Sequence, residues 1–195
     1  LHEHLKIRGI SLDIVEISGM GSTNGFALNQ NPYPNNWHCL FPDKRMEDIR
    51  PAHARSAVIR KLNEIIPDIV ISGPIAFPSG AAAVFWTLKN NRKIILFDDA
   101  RLSDVPRPWF VNKIKKKVYQ CVDAVFCPSP EWIDTFTHFG FNREQIFYGV
   151  DVVDNSFWIN FNHDVASPVT GKYFLAVGRQ VPKKNFMFLI KAYSN

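Results

Sequence analysis

The stretch Tyr173-Phe-Leu-Ala-Val-Gly-Arg-Gln-Val-Pro-Lys-Lys-Asn-Phe-Met-Phe-Leu-Ile-Lys-Ala-Tyr193 decides the fold. The apolar run Tyr173–Val177 predicts a buried strand. It stops at Gly178-Arg179, and Lys184 follows before a helix-like apolar run begins. Strand, tight cationic loop and helix in that order make a site for a phosphorylated ligand. Arg179 suits a bidentate phosphate contact and Lys184 a point contact. Gly178 lets the backbone turn close to the phosphates. The plainer reading is a glycine turn with solvated basic residues, and Lys183 is read as an exposed neighbour. The chain ends two residues after Tyr193, inside the predicted helix, so the sequence is expected to be part of a longer protein.

Upstream, the same strand-then-helix unit recurs. Short apolar strands are predicted at Ser11–Ile17, Pro67–Ser72, Lys93–Phe97, Asp123–Cys127 and Gln145–Tyr148. Helices are predicted at Pro51–Ile66, Ser79–Leu88 and Trp109–Gln120, and from the Ser129-Pro130-Glu131 start to Phe139, with Gly140 as the stop. Ser18–Arg50 is rich in Gly, Asn and Pro and reads mostly as loop. Alternating strands and helices indicate an α/β, Rossmann-like parallel sheet. Residues 1–150 form that domain, 151–171 a linker, and 172–195 only the first βα unit of a second domain. The chain opens with the end of a helix closing at Gly9, so the strand expected before it is missing. Ligands of such sheets bind beyond the C-terminal strand ends. That directs attention to the loops after Ile17, Ser72, Phe97, Cys127, Tyr148 and Val177.

Composition narrows the class. A chain of 195 residues with 46% hydrophobic and 21% charged side chains is globular, and 16 Phe with 5 Trp supply ample core area. The net charge of +5 and pI near 9.2 favour anionic partners without specifying nucleic acid. Cys39, Cys121 and Cys127 show no paired spacing, which argues against a disulfide scaffold or a zinc site. The six histidines show no metal-ligand spacing. No metal and no cofactor are expected. No 18-residue apolar run and no secretory signal are present, so a cytoplasmic location is expected.

Four motifs, taken together, resemble the retaining glycosyltransferases of the GT-B fold, of the large family-four type. Asp123-Ala-Val-Phe-Cys-Pro-Ser129 looks like the family's strand and helix cap. Gly140-Phe-Asn-Arg-Glu-Gln-Ile-Phe-Tyr-Gly149-Val-Asp151 looks like its strand ending in a glycine turn, and Asn155-Ser-Phe157 fits the segment after that turn. Phe174-Leu-Ala-Val-Gly178-Arg-Gln-Val-Pro-Lys-Lys184-Asn and Phe188-Leu-Ile-Lys-Ala192 look like the donor-phosphate loop and its helix. Departures are Asp98-Asp99 where the family often has His, Asn185 for the usual Gly, and Tyr148 where Asn is common.

The resemblance implies transfer of a hexose from a nucleotide-sugar to a glycan or lipid-linked acceptor, with retention, in cell-envelope polysaccharide synthesis. Gly178, Arg179 and Lys184 would hold the donor diphosphate and stabilise its developing charge without a metal. Asp98 and Asp99, at a strand end, are the catalytic candidates, with Asp99 preferred because Asp98 can cap the turn. In a front-face mechanism the leaving phosphate can itself serve as base. Gly73, Pro74 and Ser79 are candidates for the acceptor pocket, while Gly80–Ala83 reads as a small face for helix–sheet packing. Gly19, Gly21 and Gly25 lack dinucleotide-fingerprint spacing.

The predicted helix at Trp109 places Trp109, Phe110, Ile114 and Val118 on one face, with Lys113, Lys115, Lys116 and Lys117 crowding the rest. Trp109, Lys113, Lys116 and Lys117 are the candidates for peripheral contact with the inner face of a cytoplasmic membrane. No nucleic-acid module accompanies the basic run. The alternative class is a non-catalytic phosphate- or nucleotide-binding protein with a degenerate glycosyltransferase fold. A third reading is a nucleotide-sugar epimerase on the same frame. The 195-residue chain alone is expected to be inactive, since a transition state held between two domains is not stabilised by one.

Overall fold

The computed structural model describes residues 2–20, 36–104, 106–151, 153, 155–160, 169–178 and 180–194. It divides into two compact units, Leu1–Val152 and Val153–Asn195.

The first unit holds α1 (His2–Ile7), β1 (Ile14–Ser18), β2 (Trp37–Phe41), α2 (Pro51–Ile65), β3 (Ile69–Ser72), α3 (Pro78–Lys89), β4 (Lys93–Phe97), α4 (Trp109–Tyr119), β5 (Ala124–Cys127), α5 (Ile133–Phe139) and β6 (Ile146–Tyr148). Strands β3-β4-β5-β6 form one parallel sheet in that order, and β1 pairs with β2, also parallel. A helix separates each consecutive pair within the four-stranded sheet, as parallel crossovers require. The fold is α/β with parallel sheets.

Local chemistry explains the element ends. Proline occupies the first turn of α2, of α3 and of the 3-10 turn Pro130–Trp132, where its missing N–H costs nothing. Ser129 caps that 3-10 turn by accepting the Glu131 N–H. Gly140 ends α5 in the left-handed region, at φ 106°. Asp123 fixes the start of β4: its carboxylate accepts from Ile94 N at 2.9 Å and from Lys93 Nζ at 2.7 Å.

The core lies on one face of the four-stranded sheet. Val70, Ile94, Leu96, Val125, Cys127 and Ile146 point into it and meet Val58, Leu62, Ala82, Ala83, Trp86 and Phe136. Tyr119 anchors an aromatic cluster with Phe136, Phe139 and Phe141, at centroid separations of 5.4 to 6.4 Å. The opposite face carries Ile69, Ile71, Phe97 and Phe147, all exposed. Phe126 bridges Phe97 and Phe147 there in a ladder with 5.5 Å steps.

Three expectations change. The region read as loop contains β2: Trp37-His-Cys-Leu-Phe41 is β-prone but short, and only pairing with β1 reveals it. The region read as linker contains α6 (Asn155–Ile159). The strand predicted at Tyr173–Val177 has no ladder partner among the described residues. A strand is held by its neighbours, so apolar composition alone does not make one. Phe174, Leu175 and Val177 are accordingly exposed, as are Met187, Phe188 and Ile190 of α7 (Phe186–Ser194).

The small-residue packing of α3 is severe at Gly80. A Cβ built there would lie 2.3 Å from the Pro74 carbonyl oxygen and 2.7 Å from that of Gly73. Both obstacles are backbone, which cannot swing away. Gly80→Ala is therefore expected to cost about 1–3 kcal/mol, read as a lowered urea midpoint. An unchanged midpoint would contradict the close approach.

Candidate functional site

The C-terminal edge of the four-stranded sheet brings two groups of candidates together. In the β3–β4 register Ser72 lies opposite Leu96, so the loops that begin at Gly73 and at Asp98 leave the same edge of the sheet. The Gly80 contact pins Gly73 and Pro74 to the first turn of α3, where Ser79 sits half-buried. Gly73 is exposed, with open space where a Cβ would stand. Gly73, Pro74 and Ser79 thus belong to the loop after β3, and Asp98 and Asp99 to the turn after β4, at one edge of the sheet.

The two aspartates have opposite fates. Asp98 is buried, 1% exposed. Its Oδ1 accepts from Ala100 N at 2.9 Å, closing an Asx turn. Its Oδ2 accepts from the Tyr119 hydroxyl and lies 3.4 Å from Lys115 Nζ. Every one of these contacts is internal, so Asp98 positions the turn and offers no free oxygen outward. Asp99 is exposed, and its backbone carbonyl accepts from Trp132 Nε1 at 2.7 Å. That bond fixes the main chain while leaving the carboxylate in solvent. Of the two catalytic candidates, Asp99 alone presents its acid outward.

Lys115 is the residue whose place the sequence did not disclose. Its ammonium sits against Asp98 and 4.9 Å from the ring centroids of both Tyr119 and Phe139. Burial pulls its pKa below the ordinary lysine value, and Asp98 opposes that shift. At 3.4 Å and an effective dielectric near 20, the pair gains about 5 kcal/mol of Coulomb energy. Desolvation of two ions costs a comparable amount, so the pair contributes specificity more than net stability. Arg107 adds a second positive charge that acts on both Lys115 and Tyr119. Its Nη1 and the Asn112 Oδ1 are buried without hydrogen-bond partners.

The face assignment of α4 changes with this. Val118 is half-buried and Lys115 buried, on the side facing the core. Trp109, Phe110 and Ile114, with Lys113, Lys116 and Lys117, face solvent.

The phosphate-loop candidates belong to the second unit. Arg179 lies outside the described residues. Gly178 is exposed, and a Cβ there would stand 3.3 Å from the Phe186 ring. Lys184 is exposed and ends the 3-10 turn Pro182–Lys184. Asn185, found where the resemblance expects Gly, adopts φ 49° in the left-handed region. Asn tolerates that conformation better than most residues, so the turn keeps the geometry a glycine would give. Its carbonyl then accepts from Phe188 N and Leu189 N at the start of α7.

Of the three early glycines, Gly21 and Gly25 lie outside the described residues. Gly19 sits 2.6 Å, measured from a built Cβ, from the Pro42 carbonyl oxygen, a packing role. A shallow cleft of about 650 Å³ opens between the first turns of α2 and α3, lined by Arg55, Ser56, Pro78 and Ala81 among others. Arg55 is held over the Phe85 ring at 5.4 Å. No sequence motif marks this cleft. Among the described residues, no three His, Cys, Asp or Glu side chains converge on a metal position. No described helix is long and apolar enough to cross a membrane.

Breaking the buried cluster has calculable effects. Lys115→Ala leaves the Asp98 charge uncompensated and is expected to cost about 3–5 kcal/mol. The double variant Asp98→Asn with Lys115→Met should cost less than the sum of its parts, which a double-mutant cycle measures. Burial, then the Asp98 charge, push the Tyr119 hydroxyl far above its ordinary value of 10.0. A phenol raised in the folded state stabilises fully below the unfolded value and loses that contribution as pH climbs past it. Stability should therefore fall above about pH 10, and less steeply in Tyr119→Phe. Identical alkaline slopes would remove Tyr119 from the buried site.

No family model matches the sequence, and no curated protein matches it. Among solved structures the chain is similar to a UDP-N-acetylglucosamine 2-epimerase, at 15% identity over 57% of this chain and 38% of that one, with a TM-score of 0.41. It is similar to a protein from Listeria monocytogenes described as a UDP-N-acetylglucosamine 2-epimerase, at 19% identity over 59% and 30%, TM-score 0.41. It is also similar to S. aureus MnaA in a co-structure with UDP, at 14% identity over 63% and 36%, TM-score 0.41. The chain spans 30% to 38% of the lengths of those three proteins. A likeness of that depth assigns no activity to this chain.

Proposed function

We propose that this protein is a nucleotide-sugar-dependent hexosyltransferase that passes a sugar to a glycan or lipid-linked acceptor with retention of configuration. The observation that carries the reading is the C-terminal edge of the parallel sheet. There the loops after β3 and β4 leave the same edge, and of the two aspartates Asp98 is buried while Asp99 is exposed. Open parallel sheets take their ligands at that edge. The left-handed turn at Asn185, directly after Lys184 and before α7, supports a donor-phosphate role for Gly178, Arg179 and Lys184.

In this reading the acceptor hydroxyl attacks the anomeric carbon on the face from which the diphosphate departs. The bond to the phosphate oxygen breaks, the new glycosidic bond forms, and the hydroxyl proton passes to the leaving phosphate. Arg179 and Lys184 hold fixed positive charge where that oxygen becomes negative. Asp99 accepts a hydrogen bond from the acceptor and orients it. Gly73, Pro74 and Ser79 line the acceptor side.

The test is nucleotide release from a panel of UDP-, GDP- and ADP-sugars in the presence of membrane extract. Release from one donor, dependent on the extract, is the expected result. Arg179→Ala or Lys184→Ala should lower it by roughly 10- to 150-fold, the loss of one charge-assisted contact of about 1.5–3 kcal/mol. Conversion of the free nucleotide-sugar without acceptor would replace the transferase reading with an epimerase. Calorimetric binding of nucleotide without release would leave a non-catalytic binding protein.

A further inference from the structure

The outward face of α4 is unusual for a surface helix. Trp109 is 75% exposed, Phe110 51% and Ile114 61%. Between and beside them stand Lys113, Lys116 and Lys117, all exposed. At roughly 100° per residue, Lys116, Trp109, Lys113, Lys117, Phe110 and Ile114 follow one another around about 160° of the helix. Aromatic and aliphatic side chains therefore share one continuous surface with ammonium groups, and no carboxylate of the helix interrupts it. Trp109 and Phe110 meet edge to face at 6.3 Å, with Lys113 Nζ 5.9 Å from the Trp109 ring centroid. The first turn is thus the apolar end, and Lys116 and Lys117 make the last turn cationic.

This face cannot turn inward. On the reverse side Lys115 and Tyr119 are locked to Asp98 at the end of β4. Rotating α4 would pull a buried ion pair apart and expose the aromatic cluster. The exposed rings and lysines are a fixed surface of the folded protein.

From these observations we infer that the outward face of α4 docks on an anionic lipid bilayer. Charge complementarity and amphipathic side chains point to this occupant together. Indole and phenyl rings partition into the headgroup–acyl boundary, and lysine stems lie along apolar surface while their ammonium groups reach lipid phosphates. Each lysine close to an anionic leaflet is worth about a fivefold gain in partition, so three supply about 100-fold. The face holds no arginine fork for bidentate phosphate recognition. The inference does not depend on the transferase reading, and its failure would leave that reading standing.

The experiment is co-sedimentation of the protein with vesicles of phosphatidylcholine alone, or of phosphatidylcholine with about one-third phosphatidylglycerol, at low and at physiological salt. Binding to the anionic vesicles only, weakened by salt, is expected. Lys113→Glu with Lys117→Glu should reduce it by at least about 25-fold, since each reversal removes one such gain. Trp109→Ala should reduce it several-fold and abolish the vesicle-induced blue shift of tryptophan fluorescence. All these positions are solvent-exposed, and an unchanged circular dichroism spectrum certifies the fold of each variant. No sedimentation at low salt, equal binding to neutral vesicles, or indifference to the lysine reversals would each overturn the inference. So would tighter binding to a single-stranded RNA than to the anionic vesicles.

Discussion

The first unit is organised around a single buried carboxylate. Asp98 ends β4 and is met by the Ala100 N–H, the Tyr119 hydroxyl and the Lys115 ammonium. A carboxylate in that position must be fully satisfied or it would unfold its surroundings. Satisfying it fixes two things together. It folds the chain after β4 into an Asx turn, and it sets the roll of α4 about its own axis. The packing of Tyr119 against Phe136, Phe139 and Phe141 then ties α4 and α5 to the same point. The ion pair adds little net energy, because desolvation offsets Coulomb attraction. Its effect is to exclude every other rotation of the helix.

That constraint separates two adjacent aspartates. One is consumed inside, and the next is carried outward on a main chain steadied by Trp132. The neighbouring loop after β3 is held as firmly by Gly80, whose backbone approach leaves no room for a side chain. Rigid loops at the C-terminal edge of a parallel sheet are where ligand-orienting groups are useful, because their geometry is set before binding. The outer face of the sheet is less finished. Parallel sheets are ordinarily covered on both faces, yet Ile69, Ile71, Phe97 and Phe147 lie open in the first unit. The second unit likewise leaves the apolar side chains of α7 in solvent.

Sequence patterning reached most of the elements because their causes are local. Proline at helix starts, glycine at helix ends and short apolar runs for buried strands placed β3 to β6 and α2 to α5 to within a few residues. It failed where the cause is a distant partner. Trp37–Phe41 becomes a strand only because β1 lies beside it. Tyr173–Val177 has strand composition but is not a strand in the structure, so composition alone did not make it one. The left-handed turn at Asn185 lies between these cases. Asn in place of Gly looks like a departure in the sequence, and the backbone there adopts the left-handed conformation that glycine also favours.

By itself the sequence determined the α/β class, the parallel order of the units, and a short list of candidate residues at strand ends. These follow from periodicity, turn chemistry and the direction of βα crossovers, all of which are written within a few residues of one another. Only the tertiary structure decided which of four lysines on one helix is buried and which of two aspartates is free. Lys113, Lys115, Lys116 and Lys117 are chemically identical, and Asp98 and Asp99 are too. They are told apart by the position of β4 relative to α4, which no window of sequence contains, because the carboxylate that captures Lys115 lies on a different element.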